Sequence, residues 1–188
     1  MEKLIAQLNA YTPFNEEEEA DLRLILHSLQ TEQNLFTREN ELVHMTASAW
    51  IVNRDRTRIL MAYHNLYQSW SWLGGHADGD TDLLGVALRE ACEESGLGHV
   101  QPVSEDIFSV ESLPVFGHVK RGKYVSTHIH LNVTYLLEAD EHAALHEKPD
   151  ENSGVKWFGL DEALQNVTEE WMRDHIYTKL NQKLRMLT

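Results

Sequence analysis

The chain has 188 residues, 42% hydrophobic and 24% charged, the balance of a folded domain and not of a disordered segment. At this length about 70% of the unfolded chain's surface can be buried, enough for one substantial core. A formal net charge of −14 excludes a coat on DNA or RNA, whose phosphates it repels. It leaves a polyphosphate substrate open, because bound cations reverse the local sign of a site. The single cysteine, Cys92, forms no internal disulfide and fits a reducing compartment, so a cytoplasmic location is expected. No stretch approaches about 18 consecutive apolar residues and no leader pattern follows Met1, so neither membrane span nor secretory signal is expected.

Leu4, Ile5 and Leu8 share one face of a short first helix. Asn15 followed by Glu16 to Glu19 is a capped acidic start to a second helix, with Leu22, Ile25, Leu26 and Leu29 as its apolar stripe. That acidic turn is read as solvated. Residues 1–40 are thus a helical extension, expected to cover the core or to form a contact in a homodimer. Residues 41–188 form the main domain, and no linker divides it. Residues 44–52 and 57–64 read as strands around the turn Asn53 to Arg56. Residues 65–71 read as a loop, and 82–95 as a helix closed by Gly96. Strands are expected over 107–116, 127–137 and 154–158, with loops at 117–123 and 138–153. A short helix over 161–165 and a final one over 168–187 complete the chain. Strands interleaved with helices indicate an α/β layered fold.

Between Gly74 and Leu97 the residues carry chemistry. On a helical wheel Glu90, Glu93 and Glu94 fall within roughly 100° of arc, while Leu84, Leu88, Ala91 and Cys92 lie opposite and suit burial. Like charges at these spacings repel by a few tenths of a kcal/mol per pair. A hard divalent cation gives the clustering a reason, since Mg²⁺ and Mn²⁺ take oxygen ligands and bridge carboxylates to phosphates. Gly74 and Gly75 permit close backbone approach to such a site. Asp78, Asp80 and Asp82 alternate as in a calcium loop, but Leu83 and Arg89 stand where that loop needs glycine and glutamate, so calcium sensing is rejected.

The segment resembles the Nudix box, G-x5-E-x7-R-E-U-x-E-E-x-G-U with U apolar. Gly75, Arg89, Glu90, Ala91, Glu93, Glu94, Gly96 and Leu97 match in register, flanked by Gly74 and His76. Thr81 replaces the first box glutamate and Leu73 stands where proline is common; Asp78, Asp80 or Asp82 are the candidates to replace that glutamate. The resemblance implies an α/β/α sandwich with a mixed sheet, and a metal-dependent pyrophosphohydrolase acting on a small nucleotide-derived diphosphate. It implies Mg²⁺ or Mn²⁺ on Glu90, Glu93, Glu94 and the Gly74 carbonyl, with Arg89 orienting the carboxylates by pairing with Glu93. It also implies a further carboxylate from a later loop, for which Glu151 is the first candidate, ahead of Glu147 and Asp150. Glu93 or Glu94, then Glu151, are the candidate bases.

Outside the box, His128 and His130 share one strand face. They are candidates to contact phosphate, or to form a second metal site with His76 or His44, against the plainer reading of surface histidines. Trp70, Trp72, Tyr63 and Tyr67 suit either nucleobase stacking or core packing; Trp70 and His76 are taken as substrate contacts. Cys92 is read as an inert small residue. Two other readings share the fold: a non-catalytic nucleotide sensor, and an isopentenyl-diphosphate isomerase-like enzyme that would need a reactive cysteine.

Overall fold

The computed structural model describes residues 1–120 and 122–187. Helix α1 (Glu2–Ala10) and helix α2 (Glu16–Thr31) open the chain. Asn15 caps α2 by accepting the Glu18 N–H, the expected local chemistry. The acidic turn is not wholly solvated, however. Glu18 is fully buried, held by Lys179 and Lys183 at 3.3 and 2.9 Å, whereas Glu16, Glu17 and Glu19 stay exposed.

The strands are β1 (Val43–Val52), β2 (Arg58–His64), β3 (Ser69–Ser71), β4 (Leu73–His76), β5 (Gln101–Pro102), β6 (Ser109–Val115), β7 (His118–Lys120), β8 (Lys123–Val125), β9 (His128–Glu138) and β10 (Asn152–Gly159). Eight of them form one mixed sheet along the path β10-β2-β1-β9-β5, with β3 beside β2, β4 beside β1 and β6 beside β9. The β1–β9 pair is parallel over ten register positions, from Val43–Ile129 to Val52–Glu138, and the other pairs are antiparallel. Two regions expected to be loops carry strands. Residues 69–71 and 73–76 contribute β3 and β4, and β7 pairs antiparallel with β8; Arg121, within the expected 117–123 loop, lies outside the described residues.

Helix α3 (Leu83–Ser95) packs on β1 and β4 and ends at Gly96, whose φ of 70° is the left-handed cap expected of a glycine. Its buried stripe is Leu83, Val86, Ala87, Ala91, Glu94 and Ser95, with Leu84 and Leu88 only half-buried. The core-facing arc is therefore rotated from the expected one and includes Glu94. Helix α4 (Leu160–Asn166), a π-helical turn over Met172–Tyr177 and helix α5 (Thr178–Arg185) cover the opposite face. The expected single final helix is thus shorter and begins with that wider turn.

Two cores follow from the alternation of β1. Met45, Ala47, Ala49 and Ile51 pack toward α1, α2 and α3 with Leu8, Ile25, Val86 and Ala87. Trp50 and Val52 pack toward the C-terminal helices with Tyr177, Leu180, Leu184 and Phe158. This is an α/β/α layering around a mixed sheet. No helix among the described residues is long and apolar enough to cross a membrane.

Candidate active site

Strand β4 and helix α3 build the site together. Gly74 and Gly75 sit in β4 opposite Ser48 and Ala47 of β1. A Cβ on Gly74 would stand 2.5 Å from the Ala47 carbonyl oxygen, and one on Gly75 would stand 2.7 Å from the Glu90 carboxyl carbon. The first glycine lets two strands meet; the second lets the Glu90 side chain cross the strand. The Gly74 N–H donates to Glu94 Oε2 at 3.1 Å, which fixes one carboxylate oxygen and leaves the other available.

Glu90, Glu94 and Glu151 bring one carboxylate oxygen each within 4.8 Å of one another. Glu94 is 8% exposed. Burial pushes its carboxyl up to about 8 against the hydrogen bond from Gly74, with Glu151 and Glu90 adding repulsion. Burial raises Glu90 as well, and Glu93 adds to it. Glu90 and Glu94, desolvated and crowded by acidic neighbours, hold their charge more readily beside a compensating cation. Oxygen-only donors at this spacing fit a hard divalent ion.

Glu93 lies outside this triplet. Its carboxylate is 3.2 Å from Lys148 Nζ, which also reaches Glu151 at 3.1 Å. Burial alone would lower the Lys148 pKa, but the hydrogen bonds and charges of Glu151 and Glu93 raise it, so the ammonium is a fixed positive neighbour of the cluster. Arg89 stands 3.7 Å from Asp80 and 4.0 Å from Glu90. The expected Arg89–Glu93 pair thus gives way to contacts on the other side, because Lys148 already engages Glu93. Asp80 is the one of the three candidate aspartates that approaches Arg89; Asp78 is engaged by Arg38 at 2.7 Å. Glu147 and Asp150, the reserve candidates for the loop carboxylate, are exposed and do not join the triplet.

Two residues of the 148–152 turn carry no sequence motif. Lys148 is one. The other is buried Asn152, which donates to the Glu94 carbonyl at 2.9 Å and accepts the Lys148 N–H at 3.1 Å. Asn152 thereby ties the Glu151 loop to the C-terminal turn of α3. The only signal in the sequence was the i,i+3 spacing of Lys148 and Glu151.

Among the other expected contacts, His76, His128 and His130 converge with His44 on the far face of β4 and β1. Trp70 meets Tyr63 and Phe158 in edge-to-face contacts, at 5.5 and 4.8 Å between ring centres, and packs partly buried against the second core. Cys92, two residues and about 200° from Glu90 on the wheel, is half-buried against the core. Burial raises its thiol pKa despite a hydrogen bond involving the Val100 backbone. A protonated thiol on that side of α3 offers the isomerase reading no nucleophile.

The NUDIX domain matches residues 42–180 of this chain, and the chain belongs to that family. Membership makes it a Nudix-type hydrolase acting on phosphoanhydride bonds. A C. elegans Ap4A hydrolase, solved as a binary complex, aligns with a TM-score of 0.54 at 19% identity, covering 76% of this chain and 96% of that one. An E. coli dihydroneopterin triphosphate pyrophosphohydrolase aligns with a TM-score of 0.55 at 15% identity, covering 76% and 95%. At these identities the likeness is one of fold. Among curated proteins, none matches the sequence.

Proposed function

We propose that the protein hydrolyses a nucleotide-derived diphosphate with Mg²⁺ or Mn²⁺ held by Glu90, Glu94 and Glu151. The observation that carries this reading is the meeting of three carboxylate oxygens within 4.8 Å, from a helix and a distant loop, with one of the three buried against a glycine strand. When bound, the ion neutralises phosphate charge and lowers the pKa of an attacking water. Gly74 holds Glu94 by its N–H, and its carbonyl is a candidate further ligand. Asn152 holds the loop that supplies Glu151. Asp80 supports Arg89 in place of the glutamate that Thr81 displaces.

Glu93, on the exposed side of the same helical turn, takes the proton of the attacking water. The water oxygen bonds to phosphorus as the bridging P–O bond breaks, and the released phosphate carries the electron pair away. Lys148, between Glu93 and Glu151, is placed to meet the negative charge of the substrate. The substrate class rests on the two relatives named above, both of which act on nucleotide-like polyphosphates by their names.

The experiment is a panel of nucleoside triphosphates, dinucleoside polyphosphates, nucleotide sugars and ADP-ribose, read by mass spectrometry with Mg²⁺, Mn²⁺ or chelator. Cleavage at a phosphoanhydride that stops with chelator and with Glu94→Gln is expected. Cleavage that continues unchanged in Glu94→Gln overturns the assignment of the site. Binding without cleavage across the panel returns the sensor reading.

A further inference from the structure

Four histidines from three strands converge on the face of β1 and β4 opposite α3. His44 pairs with His130 in the parallel β1–β9 register, and His76 pairs with Thr46, two positions on. The ring centres of His44 and His76 are 5.1 Å apart, those of His44 and His130 are 4.9 Å apart, and those of His76 and His130 are 4.8 Å apart. Strand alternation explains the separation from the glutamates: Gly75 turns toward Glu90, and its neighbour His76 turns the other way.

The hydrogen bonds set the tautomer of His44. Its Nδ1 lies 2.9 Å from the Asn40 carbonyl oxygen, which only accepts, so Nδ1 carries the proton and Nε2 presents a lone pair. That Nε2 is buried and meets no hydrogen-bond donor, in a residue 4% exposed. An unmet buried acceptor costs about 1–3 kcal/mol. His128 is set the same way, with Nδ1 2.8 Å from the Ser126 carbonyl and Nε2 3.1 Å from Nε2 of His130. A histidine whose far nitrogen is tied to a carbonyl, with its near nitrogen aimed into a cluster, has the arrangement that orients a metal ligand.

We infer that His44, His76 and His130 form a second metal site, for Zn²⁺ or a divalent ion of similar softness. One nitrogen of each lies within 4.8 Å of the others, within reach of Zn–N bonds of about 2.0–2.1 Å after small ring rotations. The donors are neutral imidazoles with no carboxylate among them. Such a set selects Zn²⁺ over Mg²⁺, the reverse of the glutamate triplet. Three protein ligands leave a fourth position for water. His128 orients His130. The ion ties together β1, β9 and β4, and β4 is the strand whose glycines set Glu90 and Glu94. The inference is independent of the hydrolytic reading.

The test uses the full chain, stripped of metal and returned to excess Mg²⁺ so that the carboxylates are occupied. Zn²⁺ is titrated in competition with a chromophoric chelator, and Co²⁺ is added separately as a spectroscopic probe. One Zn²⁺ per chain is expected, together with the intense visible bands of a nitrogen-bound, four-coordinate Co²⁺. His76→Gln and His130→Gln, both half-buried positions, are expected to weaken Zn²⁺ by more than about tenfold, while Glu90→Gln and Glu94→Gln leave it unchanged. Absence of Zn²⁺ uptake in excess Mg²⁺, or loss of it in the glutamate variants, overturns the proposal. Should the histidine variants fail to fold, the wild-type Co²⁺ spectrum decides alone: a weak six-coordinate oxygen signature sinks the site.

Discussion

Replacing Gly75 by alanine separates the construction of the site from the stability of the fold. The new Cβ stands 2.7 Å from the Glu90 carboxyl carbon, 2.9 Å from its Oε1 and 3.0 Å from its Cγ. Ordinary carbon–carbon contact is about 3.5 Å, so the carboxyl group must retreat by about 0.8 Å. Everything it strikes is the end of a flexible side chain, and although the Glu90 side chain is only 16% exposed, a rotamer shift of that end costs about 1 kcal/mol. A displacement near 1 Å at a positioned group costs on the order of 100-fold in rate. Gly74→Ala is the contrast. Its Cβ meets the Ala47 carbonyl at 2.5 Å and Ser48 Cα at 2.8 Å, both backbone, and forcing those strands apart costs about 1–3 kcal/mol. Urea unfolding and steady-state phosphohydrolysis with saturating Mg²⁺ are to be measured on both variants. Gly75→Ala is expected to keep its unfolding midpoint and lose activity, and Gly74→Ala to lose both. Full activity in Gly75→Ala, or equal destabilisation of the two, refutes the idea that the second glycine exists to let Glu90 through.

Three further outcomes are expected. Glu90→Gln and Glu94→Gln lower metal-dependent activity by at least about 1000-fold, and Glu94→Gln does not destabilise the metal-free fold, because a neutral amide replaces a desolvated carboxyl while keeping the Gly74 hydrogen bond. Activity assays and metal-free thermal melts check this. Lys148→Met tightens Mg²⁺ binding in calorimetry, since a competing cation leaves Glu151 and Glu93, and changes metal-free stability by less than about 1 kcal/mol because these partners are partly exposed. Looser Mg²⁺ binding would contradict it. For Glu18, burial raises the carboxyl, but Lys179 and Lys183 outweigh it and hold it near 2, below its ordinary 4.5. A depressed carboxylate stabilises fully above pH 4.5 and loses that contribution as pH falls toward 2. Holding the carboxyl near 2 and not at 4.5 corresponds to roughly 3 kcal/mol. Chemical denaturation of wild type and Glu18→Gln across that window should show their stability gap closing as acid is added; a constant gap refutes the ion-pair account.

The local stretches of this chain announce themselves because their causes are local. Asn15 and Gly96 act through one hydrogen bond and one backbone angle, so the ends of α2 and α3 were readable. The box from Gly75 to Leu97 was readable for a related reason: helical spacing alone places Glu90 and Glu94 on one arc. The β-branched and aromatic richness of β1 likewise announced a strand. By contrast, β3, β4 and the β7–β8 pair are short and exist through their partners, β2 for β3, β1 for β4, and each other for the last two.

Tertiary packing decided the rest. Which acids of α3 cluster depends on how the helix is rotated against β4. That rotation buries Glu94 and turns Glu93 to Lys148, which no wheel drawn on an isolated helix specifies. Glu151 and Asn152 reach the site only because β10 pairs with β2 and returns the loop to α3. Glu18 is buried because α5 carries Lys179 and Lys183 to it from more than 160 residues away. Sequence by itself therefore determined the elements and the kind of atom each offers to a ligand. Long-range contact alone determined which of those atoms meet and which are stripped of water, because desolvation and convergence are properties of a packed neighbourhood and not of a residue's own neighbours in the chain.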